Sequence, residues 1–152
     1  MVRTVAVAVL IGGACYTDLR TQKIRNALTL PMMAFGALAA PWTLSAWWAG
    51  AAGVGVALAA AFLPWRGGAI KAGDVKMLMA AGALLGPDAA WRATLWTLLL
   101  GVPAGLAVLA WRGRLGNIAR VLRGGQDATV VAHAPVVGAG IVTAMLLRWP
   151  GG

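Results

Sequence analysis

The sequence predicts an all-α membrane protein, a single domain over residues 1–152 built as a polytopic bundle of six transmembrane helices with both termini on the outer side. Three observations predict it. Hydrophobic residues fill 61% of the positions and charged residues only 11%, where a soluble domain carries roughly 25% charged residues. The uncharged stretches have lengths suited to crossing a bilayer. The basic residues lie between those stretches instead of inside them. With a mean hydropathy of +0.80, a soluble chain of this size could not hide so much apolar surface in one core; lipid solvates the excess.

The elements follow in order. Thr4 to Thr17 is uncharged but short. Met1 to Cys15 has the outline of a signal peptide, with Arg3 as its charged end and Val5 to Ile11 as its apolar core. A lipoprotein signal would want leucine where Gly12 stands, so a retained first helix over about 3–18 is expected. Asn26 to Trp65 is long enough for two crossings, with Pro41 near its middle and Trp42, Trp47 and Trp48 marking an interface. Helices are expected there over about 27–41 and 45–64. Met77 to Pro87 is short again and suggests a helix over 74–87. Ala93 to Trp111 and Ala128 to Leu147 each approach the roughly 20 residues of a full crossing, which gives 90–111 and 131–148.

Charge sets the orientation. The loop after the first helix carries Arg20, Lys23 and Arg25. The segment between the third and fourth carries Arg66, Lys71 and Lys76, and the loop before the sixth carries Arg112, Arg114, Arg120 and Arg123. With six crossings all three fall on one side, leaving Arg3, Arg92 and Arg148 on the other. The positive-inside rule makes the first side cytoplasmic.

The net charge of +9 belongs to those loops. A basic surface facing anionic lipid is expected, and no nucleic-acid partner, which would call for a continuous basic patch. One cysteine, Cys15, and one histidine, His133, exclude an internal disulfide framework and a cysteine-rich zinc site. No metal or cofactor is expected. The eight tryptophans read as interface anchors.

The acids are the informative residues. The chain has four, all aspartates. Asp18 and Asp74 fall at the cytoplasmic ends of the first and fourth helices, whose uncharged stretches are short, and an ionisable group at the edge of the hydrocarbon usually serves function or a partner. Two carboxylates that meet hold a single proton between them over a broad pH range. The ionised one takes a proton from a water between them, and the protonated one hydrogen-bonds the scissile carbonyl as it becomes negative. Gly73 beside Asp74 leaves room for a substrate backbone, Gly67 and Gly68 make the approach flexible, and Lys76 balances charge. Each acid also has a plainer reading. Asp74 serves as a helix cap, and Asp18 pairs with Arg20 or Lys23 in a solvated loop. Asp88 is a turn residue beside Pro87. Asp127 caps the last helix, and His133 is a polar residue near its start.

The motifs resemble a known family. Tyr16-Thr17-Asp18-Leu19-Arg20, followed by Lys23-Ile24-Arg25-Asn26, resembles the first motif of the type IV prepilin peptidases. There an aspartate closes the first helix and a basic stretch leads to an Ile-Pro-Asn turn. Ala72-Gly73-Asp74-Val75-Lys76-Met77 resembles the second, Gly-x-Gly-Asp followed by x-Lys-Leu. Ala134-Pro135 with Gly138 and Gly140 resembles the start of the family's last helix. The resemblance implies a membrane aspartic endopeptidase with Asp18 and Asp74 as catalytic pair, and Arg20, Asn26, Gly73 and Lys76 in binding or supporting roles. It implies leader-bearing precursors of pilins or pseudopilins as substrate, at the cytoplasmic face of the inner membrane. Arg25 stands where the family usually has proline, and Lys71 where the first glycine belongs. Larger members carry a Cys-x-x-Cys segment and also methylate the new amino terminus; this chain resembles the short form found with tight-adherence (Flp) pilus systems or in archaea. The rival reading is a non-enzymatic membrane assembly factor or ion-coupled carrier, although a carrier more often has its acids at mid-helix.

Overall fold

The computed structural model describes residues 2–21, 24–44, 46–68, 70–111 and 134–147. Lys23, the Arg112–Arg123 stretch, Asp127 and His133 lie outside the described residues. Six helices account for most of the rest: α1 Val2–Thr21, α2 Asn26–Thr43, α3 Ala49–Arg66, α4 Ala72–Leu85, α5 Pro87–Trp111 and α6 Ala134–Leu146. No strand occurs among the described residues. The fold is all-α, as the sequence predicts.

Several helix ends differ from expectation for local reasons. α1 runs on past Asp18 to Thr21, where the Thr21 hydroxyl donates to the Thr17 carbonyl at 2.7 Å, one turn back. α2 passes through Pro41. In the last turn a proline forfeits little, and the Leu44 amide closes that turn on the Ala40 carbonyl at 2.8 Å. Trp47 and Trp48 then belong to the turn, and α3 starts at Ala49. Only Gly86 separates α4 from α5. Its φ of 90° lies in the left-handed region that favours glycine, and Pro87 follows as the first residue of α5, where a missing N–H costs nothing.

α4 is the centre of the bundle. It packs against all five other helices, and Val75, Met77, Leu78 and every residue from Ala80 to Leu84 are buried. A helix apolar on every side is one surrounded by protein. Its fourteen residues rise roughly 21 Å, and its neighbours enclose it. Small residues allow the enclosure. A methyl built on Gly82 would lie 2.8 Å from the Gly53 carbonyl carbon, and one on Gly36 would lie 2.7 Å from the Ala83 carbonyl carbon. α3 and α2 thus meet α4 backbone to backbone, the close approach that joins helices where no hydrophobic force does.

The outer surface is apolar. Val5, Val9, Leu30, Phe35, Leu38, Phe62, Leu63, Leu99, Val102 and Val142 are all exposed, a surface too apolar for water. α1 and α3 are each long and apolar enough to cross a membrane. Exposed tryptophans gather at helix ends: Trp42, Trp47, Trp48 and Trp91 at one end of the bundle, Trp65 and Trp111 at the other. Trp48 to Trp65 along α3 is roughly 26 Å of rise, and Trp91 to Trp111 along α5 roughly 30 Å.

Candidate active site

Both sequence-predicted aspartates are buried, Asp18 at 3% exposure and Asp74 at 2%. On α1 the buried positions are Ala6, Val7, Leu10, Ala14 and Asp18, a stripe at helical spacing. Asp18 is therefore the last member of the packing face, one turn inside the helix. A solvated loop aspartate paired with Arg20 is not what the chain builds. The Arg20 guanidinium lies over the exposed Tyr16 ring, 4.9 Å from its centroid.

Asp74 sits in the first turn of α4, three residues after Lys71, which precedes the helix. The Lys71 amide donates to Asp74 Oδ2 at 3.0 Å. This is one half of a capping box; a lysine side chain, with no acceptor, cannot supply the other half. The capping reading of Asp74 therefore holds in part, with the carboxylate buried as well. Lys71 contributes through its backbone, at φ −85° and ψ 157°, an extended conformation open to any residue. A lysine in place of the family's glycine leaves this turn undisturbed. Arg25 has φ −74° and ψ 132° just before α2, within the range a proline ring imposes. Arginine here holds the backbone that proline would dictate.

Three contacts bring the site to one end of the bundle. Asp18 Oδ2 accepts the Ala134 amide at 2.9 Å, from the first residue of α6. The Lys76 ammonium on α4 donates to Asn26 Oδ1, on the first residue of α2, at 2.9 Å. A methyl on Gly73 would lie 3.3 Å from Ile24 Cβ, so the bare face of Gly73 is taken up by the chain's own α1–α2 connection. The end of α1 and the starts of α2, α4 and α6 thus converge, and the two aspartates sit at that shared end. Asp88, exposed at the start of α5, lies at the opposite one. Gly67 and Gly68 terminate α3: their amides bond the Leu63 and Trp65 carbonyls at 2.9 and 3.0 Å, and Gly68 has φ 76°. They end a helix here, where flexibility was expected of them.

Two buried carboxylates would be costly without partners. Each has a backbone amide, and each faces a helix N-terminus, α4 for Asp74 and α6 for Asp18, where the helix dipole favours negative charge. Among the described residues no group of three His, Cys, Asp or Glu side chains could hold a metal ion. Asp18 and Asp74 are the acids that the described residues bury at this end of the bundle.

The Type IV leader peptidase family profile matches residues 5–109. The chain belongs to this family. The match includes both aspartates, all of α4 and all but the first three residues of α1. No curated protein and no solved structure matches the chain. For a leader peptidase, the arrangement adds one contributor that side-chain motifs do not reveal. The Ala134 amide comes from beyond the matched residues, and a backbone donor has no residue type to betray it. A partial signal was present in the sequence: Leu10, Ala14 and Asp18 fall four residues apart, which puts Asp18 on a packing face.

Proposed function

We propose that this leader peptidase is a membrane-embedded aspartic endopeptidase that removes the leader from prepilin or pseudopilin precursors at the cytoplasmic face of the inner membrane. Asp18 and Asp74 are its catalytic pair, and Arg20, Asn26, Gly73 and Lys76 support the site. The observation that carries the reading is the burial of two of the chain's four acids at one end of the bundle, within a family of leader peptidases. One carboxylate takes the proton of a water between them; the other, protonated, donates to the scissile carbonyl oxygen as it becomes an oxyanion. The proton belongs to the pair. The Lys76–Asn26 bond fastens the start of α2 to the first turns of α4, the helix that carries Asp74. Co-expression with a tight-adherence pilin precursor, scoring the leader on a gel, tests the reading. A precursor that stays full length beside well-expressed, membrane-inserted peptidase would overturn it.

Six membrane crossings accompany this reading. The spacing of the tryptophans along α3 and α5 approaches the roughly 30 Å of the hydrocarbon core, and aromatic residues favour its two boundaries. The basic residues Arg20, Arg25, Arg66, Lys71 and Lys76 gather at the aspartate end, which makes that end cytoplasmic. In a Cys15→Ser background, Arg25→Cys and Arg66→Cys should be shielded from an impermeant thiol reagent in intact cells, while Asp88→Cys should react. All three native side chains are exposed, so access through the membrane decides the result. The reverse pattern would put the aspartates outside the cell.

Cleavage without methylation is expected. Methyl transfer needs a pocket for a large polar cofactor, and the stretch from Arg112 to Asp127, with four arginines and four glycines, is far below the roughly 50 residues of a small domain. Intact-mass measurement on pilin processed in a host lacking other prepilin peptidases should show an unmodified amino terminus. An added methyl group that depends on this chain would reveal a second active site.

A further inference from the structure

We infer that α6 is the positioning element of Asp18, acting through the peptide N–H of Ala134, so that a helix beyond the family match completes the catalytic site. This rests on the peptidase reading given above.

The contact is long in sequence and short in space. The Ala134 amide reaches Asp18 Oδ2 at 2.9 Å across 116 residues. Neither group faces solvent, with Ala134 at 0% exposure and Asp18 at 3%. An amide at the first position of a helix has no partner inside that helix, and a buried carboxylate oxygen needs a donor. Each supplies what the other lacks. The bond also fixes direction. A carboxylate at the end of two rotatable bonds can swing, and one oxygen held by a rigid backbone leaves the other aimed.

A second contact sets where that amide stands. One turn further along α6, a methyl on Gly138 would lie 2.8 Å from Ile11 Cγ2 and 3.9 Å from Cys15 Sγ. α6 therefore rides directly on α1, antiparallel to it, with Gly138 against Ile11 and Cys15 and with Ala134 against Asp18. Buried Val137 and Ile141 hold the same face of α6 inward. On the other side a methyl on Gly140 would lie 2.7 Å from the Thr97 amide nitrogen on α5. α6 is wedged between α5 and α1, so its first amide cannot drift from the carboxylate without moving the helix.

The arrangement assigns different errands to the two acids' donors. Asp74 takes an amide from the turn that precedes its own helix. Asp18 takes its amide from another helix, so it is placed only when α6 has docked. Docking of α6 thus becomes a condition for catalysis and not only for stability.

The test uses full-length peptidase in detergent with a tagged, detergent-solubilised tight-adherence pilin precursor. Ala134→Pro removes the donor at a helix position where proline is accommodated. It should lower kcat by roughly 10- to 100-fold, the scale of a misplaced catalytic group, with KM unchanged, since substrate binding is not what the amide serves. Ala134→Gly, which keeps the N–H, should recover most of kcat. Gly138→Ala, which presses on Ile11 and lifts α6 from α1, should also lower kcat and spare KM; it gives an independent reading where Ala134→Pro does not fold. Asp18→Asn in the same assay separates the two claims. An inactive Asp18→Asn beside fully active Ala134→Pro or Gly138→Ala would overturn this inference alone. Cleavage by Asp18→Asn would overturn the peptidase mechanism and this inference with it. A fall in KM-related binding instead of kcat would also overturn it, because α6 would then be serving the substrate.

Discussion

Asp18→Asn and Asp74→Asn are each expected to lower leader cleavage on the order of 10³-fold or more, the scale of a lost general acid–base partner. Half a pair cannot both activate water and polarise the carbonyl, so neither variant should be partly rescued by the other acid. Asparagine suits the experiment because it retains an oxygen acceptor of the same shape. The Ala134 amide at Asp18 and the Lys71 amide at Asp74 each keep a partner, so the buried site loses its chemistry without orphaning a donor. Insertion and detergent stability should stay near wild type. Asp88→Asn, exposed at the far end, and Asp127→Asn should cleave almost normally. Gel-based cleavage with matched membrane expression reads all four. Retained activity in either site variant would remove the two-aspartate mechanism.

The second large effect is structural. Gly53→Val and Gly82→Val should each abolish accumulation of active enzyme. Any side chain on Gly53 enters the Gly82 carbonyl, and one on Gly82 enters the Gly53 carbonyl. Both obstacles are backbone, which cannot rotate away as a side chain would. Overpacking costs typically 1–3 kcal/mol and more where backbone must move. Here α3 would be pushed from α4, the helix that carries Asp74 and touches every other. Displacement of about 1 Å at a catalytic group can cost roughly 10²-fold in rate, so activity should fall even in the fraction that folds. Gly55→Val and Gly105→Val give the comparison. A methyl on either meets nothing within 4 Å, and both should express and cleave as wild type. Thermal melting in detergent with cleavage on the same samples checks the set. A Gly82→Val enzyme with wild-type melting and activity would show that the α3–α4 contact is not needed.

Much of the bundle was legible because lipid imposes simple rules. Long uncharged runs must be helices in a bilayer, and so the six helices lie close to where hydropathy puts them. The acids were legible because they are few. Glycine was harder to read. Gly73 suggests space for a substrate backbone, yet that space is filled by Ile24. Gly68 suggests flexibility, yet it adopts the left-handed φ that ends α3. A glycine in sequence says only that a side chain is absent; what fills the gap is decided by whatever packs there.

By itself the sequence determined that the chain is helical and rich in apolar residues, that its basic residues gather between the helices, and that Asp18 and Asp74 stand at helix ends beside those basic residues. These properties are carried by residue types and their spacing. Only the tertiary structure decided that α4 is the enclosed helix, that Asp18 belongs to a buried packing face, and that its hydrogen-bond donor is a backbone amide 116 residues away. It also decided that the backbone at Lys71 and Arg25, with φ values of −85° and −74°, is one that ordinary side chains adopt. The reason is the same in each case. Helix-to-helix contacts and backbone hydrogen bonds depend on where the chain goes, and every residue but proline carries the same amide.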